Sequence, residues 1–214
     1  MVTLRKNLTL SILTFTLVNS YALQAHAQTA IYQQGTLNAP TSNSQAKVCP
    51  YYKNYSDKIS AIVLREYTNH YRQPLENNKW NNYDGYSWCA LFARAAFVEA
   101  GFSVPRIDNS RALLEKFGAN GKKKNQPNAV FTNPEYAAPG DLVVWKENGS
   151  SYKGHTGVVV ENDCNKRIIK TVEGNAEKRM IRAISYTYEN IKIRKHSPDQ
   201  IIRHTLYGFG RWYE

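Results

Sequence analysis

The chain has 214 residues, 42% of them hydrophobic and 12% aromatic, enough apolar material for one ordinary core and too little for two large ones. With 21% charged residues, 15 tyrosines and 4 tryptophans, a wholly disordered or collagen-like chain is excluded. Lys plus Arg outnumber Asp plus Glu by 28 to 17, and the resulting net charge of +11 suits an anionic partner: nucleic acid, anionic lipid or acidic cell-wall polymer.

Residues 1–27 read as a secretory signal peptide. Arg5 and Lys6 give the positive start, residues 8–18 the apolar stretch, and Ala25-His26-Ala27 the small-x-small cleavage pattern. The apolar stretch is about half of the roughly 20 residues needed to span a bilayer, so no retained membrane anchor is expected. Cleavage before Gln28 removes only Arg5 and Lys6 among the charged residues and leaves the chain basic. Residues 28–47, without periodicity, read as an exposed polar leader, and 48–214 as the folded domain.

Over 59–71, Ile59, Ile62, Val63 and Tyr67 recur at intervals of three and four and predict an amphipathic helix that Pro74 stops. Residues 77–86, rich in Asn, Tyr and Gly, predict a loop. A second helix is predicted from Ser87 as N-cap to Gly101 as C-terminal stop. A short third helix is predicted over 110–117, followed by a polar insertion over 118–136. Beyond it, runs rich in Val, Ile, Tyr and Trp at 141–146, 156–161, 167–172, 180–188 and 206–212 predict strands. Helices first and consecutive strands afterwards imply an α+β domain, an antiparallel sheet with helices packed against it.

An exported chain meets an oxidising compartment, where its three cysteines, Cys49, Cys89 and Cys164, would pair if they came within reach. There is no CxxC, no HExxH and no tight Cys/His cluster, so neither a metal site nor a cofactor is expected. Cys89 stands at the start of the predicted second helix, where unpaired N–H groups and the helix dipole favour a thiolate; a small residue buried under a helix is the plainer reading. A thiolate needs a base. His26 leaves with the signal peptide, and His70, His196 and His204 lie among polar residues at the ends of elements. His155 stands between Gly154 and Thr156-Gly157 at the mouth of a valine strand, where a ring can be held at the sheet edge and still reach solvent. At the end of the next predicted strand, Glu173 and Asn175 are two apart and project to one face, placed to orient and charge-stabilise that imidazole.

Four segments, Tyr-Ser-Trp-Cys-Ala-Leu-Phe-Ala-Arg-Ala-Ala at 86–96, Pro-Gly-Asp-Leu-Val-Val-Trp at 139–145, Gly-His-Thr-Gly-Val-Val-Val at 154–160 and Glu-Gly-Asn at 173–175, together resemble the CHAP domain of cysteine peptidases and amidases, part of the NlpC/P60-like, papain-like group. The resemblance covers about residues 83–176. It implies a papain-like α+β fold that hydrolyses amide bonds in peptidoglycan, as amidase or peptide-stem endopeptidase. Cys89 would be its nucleophile, His155 its base, and Glu173 and Asn175 its orienting pair. Trp88 and Tyr83 are near enough in sequence to shape the groove, with a core role for either equally open.

With Cys89 needed as a free thiol, Cys49 and Cys164 are the pair that can be oxidised without cost to catalysis; two separate thiols is the other reading. Two rival classes remain. One is a basic binding module, using Lys122 to Lys124 and the run 191–195 on an anionic wall polymer, although such runs are usually solvated faces. The other is a catalytically inactive relative or an amidase acting outside the wall. No nucleic acid is expected as partner, and oligomeric state is left open.

Overall fold

The computed structural model describes Cys49, residues 57–71, Gln73, Trp80, residues 87–195 and residues 203–213. The predicted signal peptide and leader, Tyr83 and Pro74 lie outside these. Among the described residues there are three α-helices, α1 (Asp57–Asn69), α2 (Cys89–Glu99) and α3 (Ser110–Lys123). They precede seven strands: β1 (Val130–Phe131), β2 (Leu142–Glu147), β3 (Gly154–Asp163), β4 (Ile168–Ala176), β5 (Met180–Thr187), β6 (Ile193–Lys195) and β7 (Arg203–Gly210). The strands form one antiparallel sheet in the order β1-β7-β2-β3-β4-β5, with β6 on β7. This is an α+β architecture, compatible with a papain-like CHAP fold. Among the described residues no helix is long and apolar enough to cross a membrane.

Both faces of the sheet are covered. On one, Leu142, Val144, Val158 and Val172 meet Ile59 and Val63 of α1, Phe92, Ala93 and Phe97 of α2, and Leu113 and Phe117 of α3. On the other, Val143, Trp145, Val159, Ile169 and Phe209 pack with Tyr188, Ile191 and the Cys49–Cys164 disulfide, whose Cα atoms are 5.7 Å apart. Residues 142–145 are therefore apolar without alternation, since a central strand buried on both sides has no solvent face to mark with polar residues. Each such large side chain contributes about 1.5–3 kcal/mol through burial.

Helix ends explain where prediction and structure part. α2 starts one residue later than predicted: its N-cap is Trp88, which makes no side-chain capping bond, and Ser87 is not a cap. Its C-terminus stops where expected. Gly101 takes φ +104°, with Gly101 N–H on Val98 O and Phe102 N–H on Phe97 O, while the Phe97 and Phe102 rings touch edge to face. α3 begins at the predicted Ser110, with Asn109 Oδ1 accepting from the N–H groups of Arg111 and Ala112, but it runs on to Lys123. The supposed insertion over 118–136 is thus partly helix, followed by short 3-10 turns and β1. Gly121 does not break α3. It lies against Ala129, where an added Cβ would come within 2.6 Å of Gln126 O, so its role is close approach. β6 also falls in a run read from sequence as a solvated basic face; of that run, Ile191 and Arg194 are buried.

Candidate active site

Cys89 opens α2, so its own N–H is among the unpaired donors of the first turn, and its thiol is buried. His155 is the second residue of β3 and is paired across the sheet with Trp145 of β2, whose indole stacks against the imidazole at a centroid distance of 6.0 Å. The indole is itself pinned by a 2.7 Å bond from Nε1 to Ile191 O. From β4, the fully buried Glu173 sets Oε2 at 2.8 Å from His155 Nε2, which leaves Nδ1 for the thiol. Gly157 makes this contact possible: a Cβ there would stand 2.7 Å from Glu173 Cγ.

The electrostatics favour a charged sulfur and a charged ring. Burial pushes the Cys89 thiol up, but bonding to His155 and its charge, the Ser87 hydroxyl and the Thr156 backbone together hold it below its ordinary value. Burial and the Arg194 charge push His155 down, and the Cys89 and Glu173 contacts outweigh them, leaving the ring more basic than usual. Burial would raise the Glu173 carboxyl; the Arg194 charge and the hydrogen bonds from His155 and Tyr186 instead hold it at about 2. A thiol at a helix start, a ring beside it and a carboxylate behind the ring can together form and hold a thiolate–imidazolium pair.

Residues 81–175 match the family model of the CHAP domain. The matched segment is similar to a CHAP domain. CHAP domains are associated with cysteine- and histidine-dependent amidase or peptidase activity on peptidoglycan. No curated protein and no solved structure matches the chain.

Within the CHAP-like segment, Asn175 does not touch the imidazole. Its backbone takes φ +52°, and its Nδ2 donates to Ser87 Oγ at 3.0 Å. Ser87 Oγ in turn lies 3.3 Å from Cys89 Sγ. The pairing of Glu173 with Asn175 on one strand face is therefore broken by the irregular β4–β5 register after Glu173. Trp88 is 1% exposed, stacked on Trp80 and edge-on to Phe92 in the helix-side core, which is the core role left open for it rather than a groove wall. Asp141 accepts hydrogen bonds from Arg211 and the Ala138 N–H at the turn before β2. Among the described residues no three His, Cys, Asp or Glu side chains gather as metal ligands.

Three contacts to Glu173 were missed from sequence. Thr171 Oγ1 and Tyr186 OH each donate to Oε1 at 2.8 Å, while Arg194 donates to Oε2 from Nε at 3.1 Å and from Nη2 at 2.9 Å. Tyr186 and Arg194 lie C-terminal to the CHAP-like segment. The alternation Ile191-Lys192-Ile193-Arg194-Lys195 has strand period but would set Arg194 beside the solvated Lys192; in the structure Ile193 is 53% exposed and Arg194 is buried, so the pattern gave no pointer to this contact.

Proposed function

We propose that the chain is an exported cysteine hydrolase that cleaves amide bonds in peptidoglycan. The observation that carries the reading is the buried Cys89–His155–Glu173 line at the head of α2, inside the CHAP-like segment. His155 takes the Cys89 proton, and the thiolate attacks a stem-peptide carbonyl. The imidazolium then protonates the leaving amine, and water, deprotonated by the same ring, releases the acyl group. The developing oxyanion is met by the Cys89 N–H and by the Ser87 hydroxyl. Ser87 Oγ already accepts from Asn175, so its own proton is available for sulfur or oxyanion. Asn175 then acts through Ser87 rather than through His155.

Export rests on the sequence of residues 1–27, and the Cys49–Cys164 disulfide supports it, since such bridges persist in oxidising compartments. The test is digestion of purified peptidoglycan followed by mass analysis. Free stem peptides beginning at the first stem residue mark an amidase, and shortened or uncrosslinked stems an endopeptidase. Both should vanish with Cys89→Ala; fragments unchanged by that substitution would sink the proposal.

A further inference from the structure

Arg194 is 3% exposed, and its guanidinium lies on Glu173 with two hydrogen bonds. Nε also reaches Tyr186 OH at 3.2 Å, and the group sits over the Trp145 ring, 5.6 Å from its centroid. Trp145 thus floors both His155 and Arg194, and Glu173 Oε2 is shared between the two cations. A buried charge survives only when balanced, so the sum over this cluster matters. With thiolate, imidazolium, carboxylate and guanidinium all charged, the sum is zero. Without the guanidinium the same reactive state would bury one net negative charge.

We infer that Arg194 is a positioning residue and the fixed countercharge of the site, making the thiolate–imidazolium state electrically neutral as a whole. The inference rests on the reading of Cys89 and His155 as nucleophile and base. The charged and titratable groups acting on His155 are Cys89 from α2, Glu173 from β4 and Arg194 from β6, with Tyr186 from β5 hydrogen-bonded to Glu173 and Arg194. His204 of β7 stands opposite Arg194 in the register, and Glu147 of β2 stands opposite His204. Only Arg194 among them is a permanent cation. Its removal makes every proton harder to take from the cluster, so both the pH at which the thiolate forms and the pH at which the imidazolium is lost move upward. Removal of the Glu173 charge alone does the reverse, because the guanidinium is then unopposed.

The experiment is a pH titration of the full chain in which ultraviolet thiolate absorbance, with Cys89→Ala subtracted, reads the lower limb and the His155 ring proton resonance reads the upper. Cys89 is the free cysteine, so the thiolate signal has one source. In the wild type the thiolate should appear below the ordinary thiol range. Arg194→Met should raise both limbs by about one pH unit or more, the size of effect of a charge within a few ångströms. Arg194→Lys should stay near wild type, Glu173→Gln should lower both limbs, and Arg194→Met with Glu173→Gln should fall between the singles. If Arg194→Met alone does not fold, the comparison of Glu173→Gln with the double variant carries the same test, the double being expected higher. A low-pH wild-type thiolate with limbs indifferent to Arg194, or shifts of the same sign for both singles, overturns this inference alone. A thiolate seen only in the ordinary thiol range overturns the nucleophile reading and the inference with it.

Discussion

Ser87 is placed between an amide that donates to it and a sulfur that can receive from it, and this fixes the direction of its hydroxyl. A hydrogen bond to a charged acceptor is worth about 1.5–3 kcal/mol, so Ser87→Ala should lower kcat on peptidoglycan by roughly ten- to a hundredfold. Asn175→Gly keeps the positive φ while removing the donor, and it should cost less. Combined with Ser87→Ala it should add nothing, since the two act as one unit; a double-mutant cycle showing simple additivity would count against the relay. Glu173 supports a different measurement. Its carboxyl is held at about 2 against an ordinary 4.5, so the stability it contributes is present above pH 4.5 and is lost as pH falls toward 2. Urea midpoints at successively lower pH should therefore fall more steeply for the wild type than for Glu173→Gln. Cys89, His155 and Glu173 could be picked out in the sequence because each stands at the punctuation of an element: a helix start, a strand mouth flanked by glycine, a strand end before Gly174. Ser87 also stood there, but its polarity fitted a cap equally well, and only the position of Asn175 decides between the two uses.

The β7 end and the turn before β2 are joined by Arg211, whose Nε and Nη2 bond both carboxylate oxygens of Asp141 at 2.9 and 2.7 Å. Burial lifts Asp141 to about 6 even against the pull of Arg211, so at neutral pH the carboxylate is charged and depends on this partner. Arg211→Met should cost about 3–5 kcal/mol by stranding that charge. Because the native carboxyl binds its proton more tightly than the unfolded one, the deficit should widen as pH rises through the carboxyl's folded value and shrink at acid pH. Chemical denaturation at pH 5 and pH 8 measures it, and a deficit independent of pH would refute the account. The strands were legible where hydrophobic runs were long, as in 141–146 and 156–161. β1 was not, since its two residues carry no period of their own and are strand only because β7 lies beside them. α3 was cut short at Gly118 for a related reason: a glycine in sequence is the same letter whether it ends a helix or, like Gly118 and Gly121, sits inside one close to a neighbouring segment.

At the scale of the molecule, the site is assembled from one helix and at least four strands, and its last members arrive late in the chain. The sheet separates two cores, and the smaller is stapled by Cys49–Cys164 across a sequence separation of 115. Closing so long a loop stabilises by about 4–5 kcal/mol in the chain-entropy model. Replacing both cysteines by serine should therefore lower Tm by roughly 10–20 °C. One chain thus carries two sulfur chemistries with opposite demands, a nucleophile that works only when reduced and a staple that holds only when oxidised. Reductant added to an oxidised preparation should first raise turnover by regenerating Cys89, then lower it near the melting range as the staple opens. The resulting dose curve has a maximum, and its falling limb should be missing in the double serine variant, which has no staple left to lose.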